Sequence, residues 1–484
     1  MSPGSHSGRY VLFGAITVVA LFLVVELTLR LFMAVSFSYL NRQDDLHYEF
    51  KLWQMHLFDS FMGMHQPDPE LFWRMKPDFR SALVYTNSDG FVGEEIPPKE
   101  EGEFRILFLG DSTPLGLGLA DFHDSFVFGL EKLLKNAYPR RPVRVINTAT
   151  AGYSSWQCRR LLERRGKTLQ PDVVITYFGN NDPSINGFLS DHELYRLSSS
   201  YGTMKRILAR SYIYRALKWF WLRWQSGKEG GGRLKVRVSP DDFRKNLLTI
   251  KEWCDGHNCK LALCTVPTPD LWPPGIQFKV FSRGKDAQGR LVMADRMRSD
   301  ITARWSLCLD TLLLPGRHDL WTSKVYASAF ADTGDLVSTE RFYQEKLSRR
   351  PHNAQFLNNL GVLLWRRGEE SQEQFVAALA RDSLNPVILY NLGVINYNHD
   401  RQSADHYLHR ARELDHYSLR IKSSYNQTLR QTAATVDVQL IDFEGLFAGL
   451  PETYCYVDHC HPTLPGHKLM AEKLFKETVP LLDK

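Results

Sequence analysis

Several things are scarce in this chain of 484 residues, and each scarcity excludes something. The excess of one charge sign is small: 60 Lys and Arg against 54 Asp and Glu give a net +6, far below the charge density of a nucleic-acid binder, so nucleic acid is not a partner to expect. Low-complexity tracts are missing, and 43% hydrophobic with 24% charged residues is the balance of a folded protein rather than a disordered one. Cysteine is sparse. The seven cysteines sit far apart except for two C-x4-C pairs, Cys254 with Cys259 and Cys455 with Cys460, a spacing that is not that of a zinc ribbon. Those thiols fit either disulfides of an exported domain or small buried apolar groups, and the cysteine count fixes no compartment.

Long apolar runs are also rare, with one exception. From Tyr10 to Val25 there is no charge, and only Glu26 interrupts the run before Arg30. A span through about Met33 reaches the ~20 residues that a bilayer core needs. Glu26 and Arg30 lie four residues apart, so they can pair on one helix face near an interface. A cleaved signal peptide ending at Ala34-Val35-Ser36 is the rival reading, but the apolar stretch is long for one. The expectation is an uncleaved anchor over residues 10–33, a single-pass protein of a bacterial inner membrane with its main domain in the periplasm.

The chain is too long for one ordinary domain. Residues 1–36 are assigned to the anchor and 37–103 to a turn-rich juxtamembrane extension, with turn signals at Pro67-Asp68-Pro69 and Asn87-Ser88-Asp89-Gly90. From Arg105 short apolar runs alternate with helical periodicity, the signature of a parallel sheet covered by helices on both faces. Strands are expected at Arg105–Leu109, Val143–Thr148, Asp172–Phe178, Lys260–Val266 and Val438–Phe443. Helices are expected at Ser125–Ala137, Ser155–Thr168 and Asp241–Cys254, with right-handed crossovers. The fold class is therefore α/β, a three-layer, doubly wound, five-stranded parallel sheet, running over 104–317 and resuming over 419–484.

Residues 318–418 fall between the last two strands and repeat internally. Leu357-Asn358-Asn359-Leu360-Gly361-Val362 returns as Leu389-Tyr390-Asn391-Leu392-Gly393-Val394 after 32 residues; Gly334 and Gly368, and Pro351 and Pro386, recur similarly. Together with small residues such as Ala380 these resemble tetratricopeptide repeats, which implies paired helices stacked into a concave surface for a protein partner. An ordinary helical cap over the sheet is the alternative. Between Met204 and Val238 lie ten Lys or Arg against Glu229, interleaved with Trp219, Phe220, Trp221 and Trp224 ahead of Gly230-Gly231-Gly232. That segment suits a membrane interface, a sugar-lined cleft or plain packing on the body.

The residues with chemical potential sit where expected strands end. Gly110-Asp111-Ser112 follows the first strand, at the edge where open α/β sheets bind ligands. A serine hydroxyl is inert until a base takes its proton. Asp458-His459-Cys460-His461-Pro462, ahead of a helix from about Pro465 to Lys476, offers that base and a carboxylate to orient it. His461 is preferred over His459 because three residues separate it from Asp458, letting one loop fold the acid onto the ring. Donors for a developing oxyanion are the N–H of Ser112, the N–H of Gly152 after the second strand, and Asn181 after the third. Ser154 lacks the flanking glycine of a nucleophile elbow, since Trp156 stands there.

Gly-Asp-Ser, a glycine after strand two, Gly-x-Asn-Asp and Asp-x-x-His-Pro, in that order, resemble the four blocks of the SGNH (GDSL-type) hydrolases over residues 104–267 and 419–484. The resemblance implies a flavodoxin-like sheet, Ser112 as nucleophile, Asp458 and His461 completing a triad, an oxyanion hole of Ser112, Gly152 and Asn181, and no metal or cofactor. Asp68-Pro69-Glu70-Leu71-Phe72-Trp73 followed by Asn87 to Gly93 is similar to the lead-in of membrane-anchored members associated with envelope polysaccharides. The substrate implied is an acyl ester, foremost an acetyl ester of carbohydrate, cleaved by water or passed to a sugar hydroxyl. A phospholipid or lysophospholipid acyl hydrolase, and a non-catalytic scaffold for an envelope-assembly complex, are the other readings. Thr113-Pro114 after the serine and the helical insert depart from the pattern.

Overall fold

The computed structural model describes residues 5–42, 64–80, 84–187, 189–199, 208, 211–214, 217, 235–272, 274, 284–285, 291–292, 336–416 and 419–482. Ser5–Arg42 is one helix, α1, of which Tyr10–Leu31 is long and apolar enough to cross a membrane, as an anchor or a signal sequence would be. Its 22 residues rise about 33 Å, enough for the hydrocarbon core. Glu26 does pair with Arg30, at 2.8 Å. The same carboxylate also accepts from Ser211 Oγ at 2.9 Å and from the Tyr212 and Ile213 N–H groups at 3.1 Å, so residues 211–214 sit against α1. Most of the basic, aromatic stretch, including Trp219, Phe220, Trp221, Trp224 and the three glycines, lies outside the described residues.

Beyond α1, the described part of the juxtamembrane extension contains a hairpin of β1 (His65–Asp68) and β2 (Phe72–Met75), turning where the prolines signal it. Asp68 closes the turn, its Oδ1 accepting from the Glu70 and Leu71 N–H groups at 2.9 and 3.0 Å. At Asn87 the side-chain oxygen accepts from the Asp89 and Phe91 N–H groups, the Asx geometry behind the second turn signal.

The main sheet contains β3 (Phe104–Gly110), β4 (Val143–Asn147), β5 (Val173–Tyr177), β6 (Lys260–Cys264) and β7 (Gln439–Ile441), all parallel, in the spatial order β7-β6-β5-β3-β4. Every residue of β3 and β5 is buried, which is why these strands appear in the sequence as mostly apolar runs. Helices α2 (Phe126–Ala137) and α11 (Leu464–Leu482) cover one face; α3 (Ser155–Leu169), α4 (Pro240–Gly256) and α10 (Ser423–Thr435) pack together on the other. This is the doubly wound sheet expected from the sequence. Its strand order reverses between β3 and β5, and a ligand crevice belongs at that switch point.

Between β6 and β7, ahead of α10, the described residues include five helices: α5 (Leu336–Arg349), α6 (Ala354–Arg366), α7 (Gln372–Arg381), α8 (Pro386–Asn396) and α9 (Arg401–Leu414). The internal repeat has a spatial counterpart. A Cβ on Gly361 would lie 2.9 Å from the Phe375 ring, and one on Gly393 2.5 Å from Leu408 Cγ, so in both α6–α7 and α8–α9 the recurring glycine admits a bulky side chain from the following helix. Asn391, the repeat partner of Asn359, donates to buried Asn358 at 2.8 Å and ties the two hairpins together. Gly334 and the rest of 318–335 lie outside the described residues.

Candidate active site

Three loops leave the carboxyl ends of β3, β4 and β5 and are bonded to one another. Asp111 caps the short helical turn Ser112–Leu115, accepting from the Thr113 N–H at 3.0 Å, and thereby sets the direction in which Ser112 leaves the strand. The Thr150 N–H donates to Gly110 O at 3.1 Å, tying the β4 loop to the serine loop. Asn180 Nδ2 donates to Asp111 Oδ2 at 3.3 Å and Asn181 Nδ2 to Tyr153 O at 3.0 Å, bringing in the β5 loop. The structure thus gathers the loops of Ser112, Gly152 and Asn181 at one end of the sheet.

A fourth loop, from 456 to 463, carries the acid and the imidazole. Asp458 Oδ1 accepts from the Cys460 and His461 N–H groups at 3.0 and 2.8 Å, a tight Asx turn that folds the carboxylate back over its own segment. His461 Nδ1 lies 2.9 and 2.7 Å from the two Asp458 oxygens, and Nε2 lies 2.7 Å from Ser112 Oγ. Ser112, 349 positions from His461 along the chain, His461 and Asp458 form one continuous hydrogen-bonded line. His461 and Asp458 are buried at 0% and 1% exposure and Ser112 retains 8%, so the line is most exposed at its serine end.

Electrostatics favour an ionised acid in this line. Burial alone would raise the Asp458 carboxyl, but the imidazoles of His461 and His459 and the bonds from His461 and the Cys460 N–H outweigh it, holding the group well below the usual carboxylate range. His459 is pushed down to about 3, chiefly by burial, and stays neutral; its ring stands nearly perpendicular to that of His461, at 5.5 Å. Ser154, which lacks the flanking glycine of a nucleophile elbow, donates a hydrogen bond from its hydroxyl to Asp191 Oδ2 at 2.6 Å. The thiols of Cys254, Cys259, Cys455 and Cys460 are unbridged and buried.

Asp182, next to Asn181 in the β5 loop, caps α3, which precedes it in the chain, accepting from the Ser155 N–H at 3.0 and 3.1 Å and from its hydroxyl. Burial raises its carboxyl to about 7, against the opposing pull of the Ser155 bonds and Arg237. Between its ordinary 3.8 and about 7 the folded chain keeps a proton that the unfolded chain has released, so this group makes stability fall as pH rises through that window. Asp182→Asn is expected to flatten that decline. Thermal midpoints of wild type and variant should diverge with rising pH up to about 7 and run parallel beyond it; curves parallel throughout would contradict the assignment.

Two residues that sequence analysis did not single out also border Gly152. Trp73 of β2 donates from Nε1 to Ala151 O at 3.1 Å, and Arg237 donates from Nη1 to Gly152 O at 2.7 Å. Only the lead-in motif containing Trp73 signalled a role for this hairpin, and no local pattern around Arg237 does.

No family model matches the chain, and no curated protein does. Similar solved structures include TesA, 13% identical over 78% of this chain and 99% of that one at a TM-score of 0.32. A catalytic mutant of Axe2, an acetylxylan esterase from Geobacillus stearothermophilus, is 13% identical over 77% of this chain and 93% of that one, with a TM-score of 0.32. LAE5, an alpha/beta hydrolase enzyme from the metagenome of Lake Arreo, Spain, is 12% identical over 78% and 96%, also at 0.32. With overall likeness this low, the functional reading rests on the geometry of the chain itself.

Proposed function

We propose that the chain is a serine-dependent ester hydrolase or O-acyl transferase working through an acyl-enzyme on Ser112. The observation that carries this is the line Ser112 Oγ–His461 Nε2–His461 Nδ1–Asp458, with each link between 2.7 and 2.9 Å. His461 takes the hydroxyl proton as Oγ attacks the ester carbonyl; the ionised Asp458 stabilises the imidazolium and holds the tautomer that leaves Nε2 free to accept. The tetrahedral oxyanion is received by the Ser112 and Gly152 N–H groups and the Asn181 amide. His461 then returns the proton to the leaving alkoxide, and a water or a sugar hydroxyl, deprotonated by the same imidazole, releases the acyl group. Every step uses groups of the chain.

An acetyl ester of envelope carbohydrate is the substrate that best fits the similarity of residues 68–73 and 87–93 to membrane-anchored, polysaccharide-associated lead-ins. With the α1 span as anchor, the sheet domain works in the periplasm, and the helices of 336–414 form a tetratricopeptide-like platform for a protein partner. The test is a fluorophosphonate probe on the full chain in detergent, followed by peptide mass analysis. Modification at Ser112 is expected; ester turnover with no label on Ser112 would overturn the reading. Acetate release from acetylated sugars, rather than fatty-acid release from lysophospholipid, is the expected substrate result.

A further inference from the structure

The backbone at Gly152 is held from both sides. The Tyr153 N–H donates to Thr150 O at 3.1 Å, closing a four-residue turn with Gly152 at its third position and φ +81°. That is the type II arrangement, which differs from type I by rotation of its central peptide plane. Here the central plane joins Ala151 to Gly152. It is planar and trans, so its carbonyl and its N–H point in opposite directions, and whatever fixes Ala151 O also aims the Gly152 N–H.

Trp73 Nε1 donates to Ala151 O. Trp73 is itself held in place: Tyr153 OH donates to its backbone carbonyl at 2.8 Å, and the Arg237 guanidinium carbon lies 5.6 Å from the ring centroid. Arg237 fixes the next plane through Gly152 O and is braced by Asp191 at 3.0 Å and Gln157 Oε1 at 2.7 Å. A Cβ on Gly152 would meet Trp73 Cζ2 at 3.2 Å, so the ring packs directly on the turn as well.

We infer that Trp73, supplied by the juxtamembrane hairpin, is a positioning residue for the oxyanion hole: its indole N–H holds the Ala151–Gly152 peptide in the orientation that aims the Gly152 N–H at the developing charge. This rests on the reading of Gly152 as an oxyanion donor. It also gives the extension a role beyond linking anchor to sheet, because the hairpin completes the site.

Trp73→Phe keeps an aromatic ring and removes the N–H. Loss of one oxyanion donor costs about 10²–10³ in kcat, so a donor left present but free to rotate away should cost roughly 10- to 100-fold. KM should stay within about two-fold, since the ground-state carbonyl depends little on that bond. Affinity for a boronic acid, whose tetrahedral adduct places an oxygen in the hole, should fall by the same factor as kcat. Should Trp73→Phe fail to fold, benzothienylalanine at position 73 replaces N–H by sulfur within the same ring outline and must give the same losses. A rise in KM alone would make Trp73 a wall of the cleft and overturn the inference. Wild-type kcat in the variant, with Ser112→Ala inert, would overturn it while leaving the reaction assignment standing; activity in Ser112→Ala would remove that assignment itself.

Discussion

Ser112→Ala is expected to lower turnover of a small acyl ester by roughly four to six orders of magnitude, and Asp458→Asn by about 10⁴-fold, on the scale of other Ser-His-Asp sites. The two losses have different origins. On the proposed mechanism no acyl-enzyme forms without Ser112, and only oxyanion binding remains to speed attack by water. With Asn at 458 the shape of the loop survives, but an amide that donates toward His461 Nδ1 favours the wrong tautomer and leaves Nε2 carrying the proton it must accept. The Asp458 carboxylate also takes the Cys460 and His461 N–H groups on Oδ1, and Asn can keep those bonds through its own oxygen. Folding should therefore be little changed while kcat collapses. Because the residues act as one unit, the double variant should be no slower than Ser112→Ala alone. Steady-state hydrolysis of p-nitrophenyl acetate by the purified chain measures all three; Asp458→Asn within about ten-fold of wild type would sink the triad.

Much of the sheet was legible in the sequence because its strands are buried on both faces. Apolar runs such as that of β3 need no partner to be recognised, and turn residues mark where they stop. The candidate site residues were legible for a related reason: Ser112, Gly152 and Asn181 each lie within five residues after a strand's end, and Asp458 and His461 share one loop, so each block is local even though their meeting is not. What stayed hidden depends on pairing between distant segments. Trp73 and Ala151 are 78 positions apart, and Arg237 and Gly152 85. Asp182 caps a helix 27 positions before it, whereas sequence rules look for caps immediately ahead of a helix. The Glu26–Arg30 pair follows from helical spacing alone, but nothing in that spacing announces Ser211 on the same carboxylate.

The junction between the helical insert and the sheet was equally hidden, and it carries the largest expected effect on stability. Arg420 is fully buried and donates to Pro269 O and Trp272 O at 3.1 Å each and to Asp415 Oδ2 at 3.1 Å. It thereby joins the end of α9 to the loop that leaves β6. That loop also receives Arg412 at Asp270, 2.9 Å away, and touches the imidazole-bearing loop, where the Trp272 and His459 rings lie 6.1 Å apart. Removing the guanidinium takes the 3.1 Å ion-pair partner from the buried Asp415 carboxylate and a donor from each of two carbonyls. Breaking a buried ion pair from one side costs about 3–5 kcal/mol, several times the loss from an exposed pair. Arg420→Ala is expected to lose stability on that scale in denaturant unfolding. Replacing Arg420 and Asp415 together by apolar residues of similar volume should recover much of it, because the stranded charge is then gone as well. A single variant within about 1 kcal/mol of wild type would mean that the junction relaxes to admit water. Since this loop lies against His459 on one side and the helical insert on the other, the same substitution should depress ester turnover at temperatures where the rest of the sheet is still folded.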